Sequence, residues 1–94
     1  MYAVVRRYDG VTDPAEAARR AQQGFVPLLS EVPGFVAYYA IDAGGGVIVS
    51  ISVFQDQPGS EESTERAADY VRENLASLIP NPPQVMAGEV VASG

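Results

Sequence analysis

Residues 32–54, VPGFVAYYAIDAGGGVIVSISVF, hold two apolar strands on either side of a glycine-rich turn. Neither strand has a clean polar face, so both faces of the sheet they build need cover. A chain of 94 residues has too little material to cover both. The pattern therefore predicts a homodimer before any activity is considered. Gly44, Gly45 and Gly46 join strand to strand, and the chain has no lysine, so they form a hairpin turn and not a phosphate loop.

Composition narrows the chemistry. With 47% hydrophobic and 19% charged residues the chain is neither disordered nor fibrous. Its 94 residues make one domain, 1–94, near the lower end of what a single core stabilises. Histidine, cysteine and tryptophan are absent, which removes Ser-His triads, thiolate nucleophiles, disulfides and thiolate metal sites. The formal net charge is −6, and the six basic residues are all arginines, in runs no longer than two. Nucleic acid is not an expected partner, because neutralising phosphates takes clustered cations. No apolar run approaches the ~20 residues of a membrane helix. The start MYAVVRRYDG has no apolar region before a small-residue cleavage site. A soluble, cytoplasmic protein without a membrane partner is expected.

Local signals set the element order. Residues 2–8, YAVVRRY, are a strand rich in β-branched and aromatic residues, and Asp9-Gly10 ends it. Asp13, Pro14 and Glu16 supply a cap, a first helical position and a capping box. Ala18, Ala21, Phe25, Leu28, Leu29 and Val32 follow at helical spacing, with a kink expected near Gly24 and Pro27 and a stop at Pro33-Gly34. Phe35–Ile41 is the second strand, Asp42–Gly46 the turn, and Val47–Phe54 the third strand. Asp56 or Ser60 caps the second helix, whose stripe is Thr64, Ala67, Ala68, Val71, Leu75 and Leu78. Pro80-Asn81-Pro82-Pro83 ends it, and Gln84–Val91 is the last strand.

The order β-α-β-β-α-β predicts an α+β, ferredoxin-like fold: one antiparallel sheet with both helices on one face. The other face is then bare and substantially apolar, and a two-fold contact with a second copy covers it. In the third strand Val47, Val49, Ile51 and Val53 share one face, which suits packing under helices. Ile48, Ser50, Ser52 and Phe54 share the other, which suits a less tightly packed cavity. In the second strand the register leaves two alternatives: Phe35 with Tyr39, or Val36 with Tyr38, on the cavity side.

EVPGF at 31–35, the hairpin after it, and SVFQD at 52–56 leading into the second helix resemble the dimeric α+β barrel superfamily, in its antibiotic-biosynthesis-monooxygenase-like branch. The resemblance covers essentially the whole chain. It implies a dimeric α+β barrel, and either a cofactor-independent oxygenase, a haem-degrading enzyme, an isomerase or a protein of another role. Phe54 matches an aromatic that lines the pocket in several members. Haem-degrading members use a histidine of the second helix, and some oxygenases a pocket histidine or tryptophan. This chain has neither.

The candidate pocket residues are Arg6, Arg7, Tyr38, Tyr39, Ser50, Ser52 and Phe54. Arg6 and Arg7 point to opposite faces of their strand, so one projects to the cavity, where a guanidinium binds a phenolate, carboxylate or oxyanion. A rim ion pair is the plainer role. Tyr38 and Tyr39 also alternate, and the one facing inward orients a phenolic ligand or simply packs. Without histidine, Ser50 and Ser52 are small polar lining residues or cross-strand partners. Tyr70 and Asn74 lie one turn apart on the flank of the second helix, read as solvated. Glu61, Glu65 and Asp69 form a solvated acidic stripe beside a Glu62–Arg66 pair, with no metal expected.

The expected ligand is a small hydrophobic or aromatic molecule, with no cofactor. If the protein is an enzyme, the resemblance implies cofactor-independent oxygenation or proton transfer on an anionic, electron-rich substrate. A non-catalytic dimer that binds a small molecule or serves a larger assembly is the rival, and the volume of the cavity separates the two.

Overall fold

In the computed structural model, which describes residues 1–94, the first helix opens at the expected cap. The Asp13 carboxylate accepts a hydrogen bond from the Glu16 amide at 3.2 Å, and Pro14 occupies the first helical position. Instead of closing a capping box, the Glu16 carboxylate receives Arg19 and Arg20. The helical segment runs as α1 (Pro14–Arg20), a π-helical turn (Ala21–Phe25) and α2 (Val26–Ser30). The expected kink near Gly24 and Pro27 is this π turn. Pro27 has no N–H for the carbonyl one turn earlier, and the wider turn before it absorbs that break in the ladder.

The sheet has the order β2-β3-β1-β4, with every neighbouring pair antiparallel. Its strands are β1 (Tyr2–Tyr8), β2 (Phe35–Gly44), β3 (Val47–Phe54) and β4 (Gln84–Glu89). The second strand runs past Ile41, and the turn shrinks to Gly45-Gly46, with φ of 61° and 79°. Left-handed φ at both central residues is the geometry a two-residue hairpin demands. β4 stops at Glu89, two residues before the expected end. The helix α3 (Gln57–Tyr70) starts at Asp56, whose carboxylate accepts from the Gly59 amide at 3.0 Å, and continues into a second π turn (Val71–Leu75).

The expected assignment of the faces of β3 is reversed. Ile48, Ser50, Ser52 and Phe54 are buried beneath the helices, while Val47, Val49, Ile51 and Val53 lie on the open side. Alternation had separated the two sets correctly, but polarity misidentified which set the helices cover. The register of β2 also follows neither alternative. A bulge between Phe35 and Ala37 inserts Val36 as the extra residue, so Phe35 pairs with Phe54 and Tyr38 with Ser52. Both therefore turn to the helix side, which strict period-two alternation forbids.

Two apolar clusters seat the helices. One gathers Tyr8, Val11, Ala17, Ile48, Leu75 and Ile79. The other gathers Phe25, Leu29, Val32, Phe54 and Ala67. Phe54 is fully buried and meets Phe35 edge-on, with ring centroids 5.8 Å apart. Gly59 permits this packing, because a Cβ there would sit 2.9 Å from the Pro33 carbonyl oxygen and 3.2 Å from the Phe54 ring. No helix is long and apolar enough to cross a membrane.

Candidate functional site

Five of the six arginines pair with a carboxylate: Arg7 with Asp9, Arg19 and Arg20 with Glu16, Arg66 with Glu62, and Arg72 with Asp69. Arg6 is the sixth, and it is the one that is buried, at 1% exposure. Its guanidinium donates to three hydroxyls instead: Ser52 Oγ at 3.3 Å, Ser63 Oγ at 3.3 Å and Thr64 Oγ1 at 3.0 Å. Ser63 and Thr64 donate their own protons to the Ser60 carbonyl, at 2.6 and 3.2 Å. Their lone pairs are thereby fixed toward Arg6. Neutral dipoles solvate a charge but do not cancel it, so the site retains a buried positive charge. Burial draws the Arg6 pKa downward, while Tyr8 and Tyr38 act in the opposite sense. A guanidinium starts so high that it stays charged.

Arg6 forms the floor of an open cleft of ≈ 420 Å³ between β1, the edge strand β4, α3 and the loop Pro80–Pro83. Tyr8, Thr64, Val85 and Arg72 contribute to its walls. Behind it, between sheet and helices, lies a second cavity of ≈ 40 Å³, whose wall includes Phe25, Tyr38, Ser50 and Tyr70. Tyr8 borders both spaces. Burial raises the Tyr38 pKa to about 12, helped by Tyr8 and opposed by the Ser50 hydroxyl and the Arg6 charge. Burial also raises the Tyr8 pKa, and Arg6 pulls it back. Both phenols are held protonated at neutral pH and are hydrogen-bond and proton donors.

The structure brings Arg6, Tyr38, Ser50 and Ser52 together on the helix side of the sheet. It sets the other three candidates apart. Arg7 points to the open face and pairs with Asp9 at 3.1 Å. Tyr39 is 62% exposed on that same face. Phe54 is core and lines neither space.

Sequence reasoning misses Tyr8, Ser63 and Thr64 as site residues. Their signals are present: Tyr8 stands two residues after Arg6, hence on the same strand face, and Ser60, Ser63 and Thr64 repeat at helical spacing beside Ala67. Tyr70 is not the solvated flank it resembles in sequence. It is half-buried, stacks 5.4 Å from Phe25, and donates its hydroxyl to the Arg20 carbonyl at 3.0 Å. Asn74 remains exposed and donates to the Tyr70 carbonyl. The Glu62–Arg66 pair forms as expected, at 3.7 Å.

No family model matches the chain, and no curated protein matches it. Solved structures do. A protein of unknown function from Nitrosomonas europaea aligns at TM-score 0.77 and 22% identity, over 99% of this chain and 91% of that one. The monooxygenase ActVA-Orf6 of Streptomyces coelicolor, in complex with nanaomycin D, aligns at 0.71 and 21%, over 98% and 92%. SnoaB, a cofactor-independent oxygenase from Streptomyces nogalater, aligns at 0.73 and 16%, over 98% and 94%. The chain shares the α+β, ferredoxin-like fold of these antibiotic-biosynthesis-monooxygenase-like structures. The resemblance drawn from EVPGF, the hairpin and SVFQD thus holds at the level of fold.

Proposed function

We propose that this protein binds a small aromatic anion in the cleft above Arg6 and oxygenates it without a cofactor, as a cytoplasmic homodimer. The observation that carries the reading is the buried Arg6 guanidinium with no carboxylate partner, at the base of a space of ≈ 420 Å³. A volume of that size suits a small organic ligand. A phenolate or enolate oxygen placed at Arg6 supplies the missing charge and gains charge-assisted hydrogen bonds.

The chemistry follows from that anion. A hydroxyanthrone-type substrate, R₂CH₂, loses a ring-methylene proton to water because Arg6 stabilises the resulting enolate. The electron-rich carbanion passes one electron to dioxygen, and the radical pair joins to form a C–O bond. The protonated Tyr8, which lines the cleft beside Arg6, delivers a proton to the peroxide. Loss of the remaining C–H proton breaks the O–O bond and releases water. The balance is R₂CH₂ + O₂ → R₂C=O + H₂O, with one oxygen atom in the ketone and the other in water. ActVA-Orf6, with its bound nanaomycin D, and the cofactor-independent oxygenase SnoaB support this reading through the shared fold.

The dimer is supported by the bare face of the sheet. Across it run the rows Tyr39–Ile51–Val5–Met86 and Ile41–Val49–Arg7–Gln84. Tyr39, Ile41 and Met86 are 62%, 48% and 76% exposed, a contiguous apolar surface that a second copy would bury. The absence of cysteine is in keeping with a reducing compartment.

A second reading, a non-catalytic binding or accessory dimer, is favoured by one observation: no carboxylate lines the cleft to act as a general base. A single assay separates the two. Anaerobic titration with 1,8-dihydroxyanthrone reports binding, and an oxygen electrode then reports turnover. Arg6→Met is expected to weaken binding about a hundredfold, within the ~2–5 kcal/mol lost when a buried charge pair is truncated. Arg7→Met should bind as the wild type does. Binding without dioxygen uptake selects the non-catalytic reading, and undiminished binding by Arg6→Met removes the assigned site.

A further inference from the structure

The cavity behind the cleft is too small for any aromatic ring, yet its walls are apolar almost throughout. It measures ≈ 40 Å³, and Ser50 is its one lining residue without an apolar side chain. Since about 10–15 Å³ holds one water-sized body, this space takes two or three in contact. Ala18 and Ala40 on its rim are exposed, so the space opens to solvent on that side, but a water inside lacks the two to four polar partners it needs, and the interior favours small apolar guests. The two π turns frame it: Ala21 and Phe25 come from the first, Val71 and Leu75 from the second. Tyr70 ties the helices together there through its bond to the Arg20 carbonyl, which keeps them from closing on the space.

We infer that this cavity is a binding site for dioxygen. A diatomic gas matches its volume and gains dispersion contacts with its apolar walls. Tyr8, Ala67, Val71 and Ile79 border both the cavity and the cleft, so one layer of side chains separates the gas from the substrate space. Rotation of the Tyr8 ring opens that partition beside Arg6. Dioxygen is then held on the apolar side of Tyr8 while the anion occupies the charged side. The use of the site rests on the oxygenase reading, but occupancy of the cavity by gas does not.

The first test uses the ligand-free protein under dioxygen pressure and measures paramagnetic relaxation of its methyl groups by NMR. The Ile48 and Leu75 methyls are expected to relax several-fold faster than those of Leu29 and Val32, which are also buried but do not line the cavity. Uniform enhancement across lining and non-lining methyls, or none, overturns the proposal. The filling variants Ala21→Leu and Ala40→Leu should each abolish the local effect. Ala40 lies at the exposed rim of the space on β2, where a larger side chain has room, so its variant is expected to fold even if the helical one does not. In turnover these variants should raise the KM for dioxygen about tenfold and leave the anaerobic affinity for 1,8-dihydroxyanthrone unchanged. An unchanged KM in a variant that has lost the relaxation effect overturns the supply role. Localised relaxation in a protein without oxygenase activity upholds the gas site and sinks the oxygenase reading instead.

Discussion

The face of the sheet beneath the helices carries Arg6, Tyr8, Ser50 and Ser52, whereas the bare face carries Val5, Val49, Ile51 and Tyr39. Ordinary burial would place the aliphatic set inside. Here the chain hides polar groups under its own helices and leaves aliphatic ones uncovered. On the proposed reading the two faces await different occupants: a small anion would match a charge surrounded only by hydroxyls, and a second copy would match a flat apolar surface. The hidden face costs stability, since desolvating Arg6 is not offset by an ion pair. The bare face costs solubility until it is covered.

The comparison breaks most readily at the bare face. Ile51→Asp sets a carboxylate in the centre of the row Tyr39–Ile51–Val5–Met86 and should weaken self-association by about 3 kcal/mol or more per protomer. Sedimentation equilibrium is expected to find a dimer for the wild type and a monomer for the variant. A monomeric wild type would remove the difference between the faces.

The hidden face can be loosened through its cover. A Cβ on Gly24 would sit 3.1 Å from the Tyr70 ring and collide with its hydroxyl. Gly24→Ala should cost about 1–3 kcal/mol, the range for forcing atoms into a packed site, and leave association unchanged. Urea denaturation measures the first and sedimentation the second.

Arg6→Met sharpens the contrast in the opposite direction. Replacing the buried charge with an apolar side chain of similar length is expected to be neutral or to stabilise by about 1–2 kcal/mol, while ligand binding weakens about a hundredfold. A large fall in the denaturation midpoint would mean that Arg6 is structural.

The smallest effect concerns alkaline pH. The Tyr38 pKa rises from 10.0 to about 12 on folding, so the folded chain keeps its proton where the unfolded chain releases it. That stabilisation is fully present below the unfolded value and is lost as pH climbs through the folded one. Stability should therefore fall between pH 10 and about 12, and Tyr38→Phe should flatten part of the fall, with Tyr8 supplying the remainder. Denaturation midpoints across that window test it.

Local rules carried the fold a long way. Asp13-Pro14, Asp56 and the glycine turn act through atoms within a few residues of themselves, and each appears where its chemistry requires. The pairing of elements into a ferredoxin-like sheet follows from their order. The site was only half legible. Alternation showed that one of Arg6/Arg7 and one of Tyr38/Tyr39 face inward, but nothing local distinguishes the members of each pair. Ser63 and Thr64 were visible only as part of a helix stripe, because their partner lies 57 and 58 positions away.

By itself the sequence determined the order of the strands and helices, their caps and turns, and the two sets of side chains that share each strand face. Those properties depend on backbone propensity and on bonds between near neighbours. Only the tertiary structure decided which face the helices cover, the bulge at Val36 that turns Phe35 and Tyr38 to the same side, and the isolation of Arg6 among hydroxyls. Each of these depends on contacts between distant segments, where packing and the desolvation of charge outweigh local preference.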